Sequence, residues 1–375
     1  MQTQQNNYFE MIFHKKIITL THVLGQGGEG GVLTIEGFPN LVAKIFLNNT
    51  HQSDKITSST IQQSLTSSKM LHDLSSVDIG SKLMIMAKRP PKTLIASENG
   101  FSVTWPIDIL RHYNSESQFA SLSNTIGYAM YRVPPDYKRI SFMMHPKARK
   151  SEFPQTSWKQ VVRIALNLAQ VLQELHNYRY IVGDLNYNNI MVNPKGRIVL
   201  IDTDSFQVRD FEISSVIYPC NVYFPECSPP ELLKQSTLNT PYIRTIHADN
   251  FILAIIIFKL LMNNIHPCNG VWQDTTTEPP AIENHIINGD FGFLGKPYFT
   301  PPPAAMPFTI FSEELQTLFL RCFQTGHQNP AERPRASEYA VALRHFESAL
   351  VQCRINPLHW HGPHIKECPL CKVNW

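Results

Sequence analysis

The sequence predicts an α+β chain, with a β-rich first part, a larger helical part and a small cysteine–histidine tail. Three observations predict it. Short β-branched runs separated by glycine-rich turns fill Ile17 to Phe46. An apolar stripe at helical spacing runs through Trp158 to Tyr178, and further helical stretches follow it. Soft and borderline metal ligands crowd the end of the chain, from Cys353 to Cys371. These signals divide the chain at 1–133, 134–350 and 351–375.

In the first part, IITLTHVL, GVLTIEG and NLVAKIF are broken by glycine-rich and Gly-Phe-Pro-Asn turns, which reads as antiparallel strands joined by hairpins. Residues 53 to 88 contain few breakers and space Ile56, Ile61, Leu65, Met70, Leu71, Leu74, Leu83 and Met84 at helical intervals, so one or two helices are expected there. Further strands are expected at Thr93 to Ala96, Phe101 to Trp105 and Gly127 to Val133. In the second part, Val161, Ile164, Ala165, Leu168, Val171, Leu172 and Leu175 make one face of an amphipathic helix. Phe251 to Met262, Glu313 to Phe323 and Ser337 to Val351 are the next helices, and the proline-rich stretches 278–280 and 301–307 are loops.

Composition narrows the classes. With 43% hydrophobic and only 17% charged residues, the chain can fill real cores. Its net charge of +3 is dispersed, not gathered in blocks, so no nucleic-acid partner is expected. The apolar run Phe251 to Met262 is interrupted by Lys259 and falls short of the roughly 20 residues that cross a bilayer, so a core helix and no membrane insertion are expected. MQTQQNNYFEMIFHKK does not read as a secretory signal, and a cytoplasmic location is expected. Seven scattered cysteines suit reduced thiols or metal ligation better than a disulfide framework, with Cys220, Cys227, Cys268 and Cys322 as buried or loop thiols.

Chemistry concentrates in three places. Gly25-Gln26-Gly27-Gly28-Glu29-Gly30-Gly31-Val32 fits G-x-G-x-x-G-x-V between two strands, a setting for a flap over nucleotide phosphates, although a ligand-free glycine hairpin has the same pattern. Glycine lets backbone N–H groups approach phosphate oxygens, because no Cβ intervenes. In Val42-Ala43-Lys44-Ile45 a single lysine sits in an apolar strand, where an unpaired ammonium would be costly and an anion is required. Asp184 is followed five residues later by Asn189, and Asp202 stands thirteen residues beyond that at the end of the apolar strand Arg197 to Ile201. A carboxylate beside a hydroxyl favours proton departure, and hard oxygen ligands suit Mg²⁺. This spacing resembles the phosphoryl-transfer layout of protein kinases, which implies Asp184 as the catalytic acid/base and Asn189 and Asp202 as Mg²⁺ ligands around ATP. An Asx-rich turn would account for any one of these acids, but hardly for all at this spacing.

With Ser228-Pro229-Pro230-Glu231, Asp249-Asn250-Phe251 and Asn329-Pro330-Ala331-Glu332-Arg333-Pro334 added, residues 17 to 350 resemble the eukaryotic-like protein kinases of bacteria. The resemblance implies a bilobal fold with a β-rich N-lobe and a helical C-lobe, and transfer of the ATP γ-phosphoryl group to Ser or Thr of a protein substrate. It implies that Gly25, Gly27, Gly28, Gly30, Val32, Ala43, Lys44, Met130, Tyr131 and Val133 line the nucleotide, and that Lys44 and Asn186 join Asp184 in catalysis. It implies a structural Glu231–Arg333 ion pair and an Asp249 that accepts hydrogen bonds from the catalytic-loop backbone. GDLNYNNIMVNPKGRIVLIDTDSFQV and the tail NPLHW…CPLC further resemble kinases encoded beside tellurium-resistance-type von Willebrand A and PP2C phosphatase proteins, which implies those two partners.

The chain also departs from the pattern. Val182-Gly183 replaces His-Arg before the catalytic Asp, so activation by loop phosphorylation is less expected. Asn186 replaces the usual lysine, and Thr203-Asp204 replaces Phe-Gly. No Glu lies between Lys44 and Glu98, which leaves Asp54, Asp73 and Asp78 as acidic partners of Lys44, with Asp78 favoured. The same motifs admit a small-molecule kinase of the antibiotic or choline type, or a nucleotide-binding scaffold without turnover.

In the tail, Cys353-x5-His359 and Cys368-x2-Cys371 supply a closed tetrahedral ligand set for structural Zn²⁺. His361 and His364 compete for the histidine position, and His359 is preferred because its Asn-Pro-x-His setting matches the related tails. A flexible tail with free thiols is the alternative.

Overall fold

The structure is a computed structural model that describes residues 8–27, 30–46, 69–70, 79–95, 100–113, 125–213, 215–235, 242–273, 276, 278–373 and 375. Gly28, Asp54, Asp73 and Asp78 lie outside the described residues.

The first part is a closed antiparallel barrel. Strands β1 (Tyr8–Met11), β2 (Lys16–Gln26), β3 (Gly30–Ile35), β4 (Leu41–Phe46), β5 (Asp108–His112) and β6 (Thr125–Tyr131) follow one another around it in the order β1-β2-β3-β4-β6-β5. Met11, Ile18, Ile35, Ala43, Leu110, Ile126 and Ala129 fill its interior. Strand side chains alternate between faces, so Val42, Tyr128 and Met130 point the other way and join the main core of the molecule. Strand β1, for which the sequence reading has no counterpart, closes the barrel by pairing Phe9 with both Ile18 and His112. Four residues are too few to show a period. The fully buried Asp108 carboxylate secures the β1–β2 turn, accepting from the Phe13 and His14 backbone N–H groups at 2.9 and 3.0 Å.

Helix α1 (Ile79–Lys88) packs beside the barrel and buries Leu83 and Met86. Two expected strands take other forms. Lys92–Ile95 is a helical turn: it follows Pro90-Pro91, whose fixed φ suits a helix start, and Leu94 N–H donates to the Pro91 carbonyl at 2.8 Å. Phe101 to Trp105 forms no regular strand and carries an isolated parallel bridge, Val103 to Leu200.

The helical part is built on α2 (Trp158–Asn177), which starts with a Ser157/Gln160 capping box and buries the whole predicted stripe. Helix α3 (Ile246–Leu261) begins before the expected Phe251, because it also carries Asp249 and Asn250 inward. Its Lys259 is buried, pairs with Glu226 at 3.1 Å and lies 4.7 Å over the Tyr187 ring, which accounts for a charge in so apolar a helix. Strands β7 (Ile190–Val192) and β8 (Ile198–Leu200) form a hairpin on this body. Helices α4 (Glu313–Phe323) and α5 (Ala336–Ala349) complete it, with Phe258 of α3 at the centre of a phenylalanine cluster that includes Phe291, Phe311 and Phe319. Among the described residues no helix is long and apolar enough to cross a membrane.

The tail folds back on this body. A short antiparallel pair joins Val351–Gln352 to Trp360–His361. The Leu358 carbonyl accepts the Trp158 N–H at 2.9 Å, and the Arg149 guanidinium lies 4.2 Å over the Trp375 ring.

Candidate active site

The catalytic-type loop is shaped by a buried acid beneath it. Asp249 of α3 accepts the Val182 and Gly183 N–H groups, each at 2.8 Å, and its Oδ2 also meets His176 Nε2 at 3.0 Å. Sequence reasoning assigned Asp249 this structural role. Gly183 has φ +72°, and a Cβ there would fall 2.6 Å from Arg244 Nη1 and within 2.9 Å of the Cys220 side chain. Arg244 is itself buried, donates to Cys220 Sγ at 3.1 Å and to the Val222 carbonyl, and exchanges two 2.8 Å bonds with the Gln207 side chain. A guanidinium from the segment just before α3 thus stands against Gly183.

Beyond Gly183 the loop ties its polar residues together. Asn189 Nδ2 donates to the Asp184 carbonyl at 3.1 Å and to Asp184 Oδ2 at 3.2 Å. The Asn189 carbonyl accepts the Ile201 N–H at 3.0 Å, which brings the end of β8 and Asp202 beside the loop. Asn186 is consumed by the loop itself: it is 1% exposed, its Nδ2 donates to the Asp184 carbonyl and its Oδ1 accepts the Asn188 N–H at 2.9 Å. The expected contact of Asn186 with the transferred group is not made by a side chain so turned in.

Lys44 reaches across from β4. Its Nζ lies 2.9 Å from Asp202 Oδ1 and 2.6 Å from Asp204 Oδ1. Burial alone would lower its pKa, but the carboxylates of Asp204 and Asp202 raise it above the usual lysine value. Asp204 is likewise held ionised: burial would raise its pKa, and Lys44 together with the Tyr128 hydroxyl, which donates at 2.8 Å, brings it below the usual carboxylate range. The buried Lys82 of α1 donates to the Asp204 main-chain carbonyl at 2.6 Å.

The expected nucleotide-lining residues divide by face. Val32 pairs with Lys44 across β3–β4, and Gly25 with Val32 across β2–β3. Among the described residues nothing lies within 4 Å of a Cβ built at Gly25 or Gly27. Gly30 differs: its Cβ would meet the Ile45 carbonyl at 2.3 Å, so strand packing requires it. Ala43 is a correction. One residue from Lys44, it faces the barrel interior, and Val42, two residues from Lys44, occupies the lysine's face with Met130. Tyr131 turns its ring onto Phe101, at 5.5 Å between centroids, and Val133 is half-buried just past β6.

Two further constellations lie away from Lys44 and Asp184. Arg333 grips Glu231 with a bidentate fork, both bonds 2.7 Å, as the resemblance implies. In the tail, ligand atoms of Cys353, His359, Cys368 and Cys371 all lie within 4.8 Å of one another. Cys353 Sγ and Cys371 Sγ are 3.6 Å apart, too far for a disulfide, and His359 Nδ1 is 3.3 Å from Cys371 Sγ. Ligands bonded tetrahedrally to zinc stand about 3.5–3.8 Å from each other, so this donor set fits that ion. His361 and His364 instead face the Gly362 and Thr309 carbonyls.

The chain is similar to named protein kinases. It is 26% identical over 362 residues, 96% of its length, to Protein kinase YegI of Escherichia coli K12, and 26% identical over 360 residues to the protein of the same name from Escherichia coli O157:H7. It is 24% identical over 232 residues, 59% of its length and half of the relative's, to Serine/threonine/tyrosine-protein kinase HT1 of Arabidopsis thaliana. The chain spans about half the length of the curated relatives it matches. No family model matches it.

The residues that sequence reasoning missed are Val42, Lys82, Tyr128 and the lysine-pairing role of Asp204. Period-two alternation along β4 was signal enough for Val42. For the others no local pattern exists, since Lys82, Tyr128 and Asp204 meet only across separate elements.

Proposed function

We propose that this chain is the catalytic part of an ATP-dependent protein kinase, with the barrel and α1 as its N-lobe, the helical body as its C-lobe and the tail as a zinc-bearing module. The observation that carries this reading is a chain of contacts: Lys44 to Asp202 at 2.9 Å, Ile201, the neighbour of Asp202, to the Asn189 carbonyl at 3.0 Å, and Asn189 to Asp184 at 3.2 Å. A cation, two carboxylates and an amide of this type suit a polyphosphate and a hydroxyl acceptor.

In the proposed reaction Lys44 holds the phosphates from the barrel side, next to the glycine-rich β2–β3 hairpin. Asp184 orients the acceptor hydroxyl and takes its proton as the oxygen bonds to the γ-phosphorus. The bond from that phosphorus to the bridging oxygen breaks, and ADP leaves with the electron pair. The Asp202 side chain is 43% exposed, and Asn189 turns its nitrogen to Asp184, so the Asp202 carboxylate and the Asn189 oxygen are hard donors suited to Mg²⁺. Bound there, the ion would neutralise charge developing on the phosphate oxygens.

The acceptor class, Ser or Thr of a protein, and the candidate partners, a von Willebrand A protein and a PP2C phosphatase, come from the sequence resemblance. The test is incubation of the purified chain with labelled Mg-ATP, a generic protein acceptor and both candidate partners, beside Asp184→Ala and Asp202→Ala. Label on protein serine or threonine that disappears in both variants is the expected result. Nucleotide binding without transfer to any acceptor would refute the kinase assignment, and label on a small alcohol alone would replace it.

A further inference from the structure

We propose that Asp204 is the carboxylate that positions Lys44 for the nucleotide phosphates. The proposal rests on the kinase reading for the identity of the ligand.

Lys44 touches two carboxylates in unlike surroundings. The Asp202 side chain is 43% exposed, whereas the Asp204 side chain is 5% exposed. In the proposed reaction Asp202 serves the metal side of the phosphates, which leaves Asp204 as the standing partner of the lysine. Asp204 is built for that task from both ends. Its Oδ1 accepts Lys44 Nζ at 2.6 Å and the Tyr128 hydroxyl at 2.8 Å, while its main-chain carbonyl accepts Lys82 Nζ at 2.6 Å. Tyr128 is the cross-strand neighbour of Lys44, so the barrel supplies both donors to that carboxylate oxygen. The adjoining residues are pinned as well: Thr203 Oγ1 donates to the Thr104 carbonyl at 2.8 Å, and Ser205 Oγ to the Asp202 carbonyl at 2.7 Å.

Helix α1 carries no acid, since its sequence is IGSKLMIMAK, and it presents Lys82 instead. A carboxylate from such a helix would hold the lysine only when the helix is docked. Here the lysine's anion and the proposed metal ligand are two residues apart on one short segment, so the two halves of the phosphate site move together. Helix α1 acts on that segment through the Lys82 bond to the Asp204 backbone. Asp204 is thus a positioning residue, acting through Lys44 without touching the nucleotide.

A double-mutant cycle on the full chain tests this, with Mg-ATP affinity as the readout. Asp204→Asn is expected to weaken Mg-ATP binding about tenfold, close to the loss in Lys44→Met. The double variant should bind within about twofold of Lys44→Met alone, whereas a merely structural role would multiply the two losses. If Asp204→Asn fails to fold, the isosteric Tyr128→Phe carries the same cycle, with a few-fold loss in the native background and none beside Lys44→Met. Unchanged affinity in Asp204→Asn, independent multiplying losses in either cycle, or a loss in Asp78→Asn that vanishes beside Lys44→Met would overturn the proposal. Phosphoryl transfer is scored separately, so a chain that binds Mg-ATP with the expected coupling but transfers nothing removes the kinase reading and leaves this inference standing.

Discussion

Replacing Arg333 by methionine probes what holds the segment before α3 in place. The guanidinium is 0% exposed and spends four donor contacts: Nη1 and Nη2 on the two oxygens of Glu231, each at 2.7 Å, Nη1 also on the His247 carbonyl at 3.0 Å, and Nε on the Gly326 carbonyl at 2.7 Å. Its plane also lies 4.8 Å from the Phe251 ring, which methionine would still cover. Arg333→Met therefore strands one carboxylate and two carbonyls. Removing one partner of a buried charge pair costs about 3–5 kcal/mol. Glu231 is 27% exposed, so water recovers part of that, and a loss of about 3 kcal/mol is expected. Against the roughly 5–15 kcal/mol of a typical folded domain this is a large fraction. Arg333→Lys keeps the charge but loses the fork and should cost about 1–2 kcal/mol. With Glu231→Gln as the second arm, the cycle should return a coupling of about 1–3 kcal/mol. Urea unfolding followed by circular dichroism measures all of these, with the slope unchanged if the unfolded state is unaffected. A cost below about 1 kcal/mol for Arg333→Met, or strict additivity with Glu231→Gln, would refute the clamp.

Other expectations follow from the same contacts. Gly183→Ala places a methyl group against Arg244 and Cys220 at a backbone φ of +72°, and should destabilise the chain by about 2–4 kcal/mol in the same urea assay; a neutral effect would mean that Arg244 does not occupy that space. The purified chain should carry one zinc per molecule by metal analysis, and Cys368→Ser should lose it. Chelation should also free the tail from Trp158 and Arg149, read as new proteolytic cleavage after Leu350 with the helical body intact. A chain that binds no zinc, or a tail equally protected without it, would show that packing alone holds the module.

Much of this was legible in the residue order because it is local. The stripe of α2, the Asp184–Asn189–Asp202 spacing and the cysteine–histidine tail are written within short windows, where periodicity and ligand spacing carry the information. Lys44 announced itself by being a charge in an apolar strand. Local reading also misled where several conformations share one composition. Where a strand is expected from Thr93, two prolines precede a helical turn at Lys92–Ile95, and Ala43, expected to line the nucleotide, points away from its neighbour Lys44 into the barrel.

Sequence by itself determined which groups exist and how far apart they stand along the chain, and for catalytic loops that spacing is nearly the whole constraint. Tertiary structure alone decided who meets whom between residues far apart along the chain: Lys44 with Asp204, Lys82 with the Asp204 carbonyl, β1 with β5, and Arg244 with Gly183. The physical reason is burial. A desolvated charge must find an opposite charge or a dipole wherever the packed elements place one, and that choice depends on the whole core.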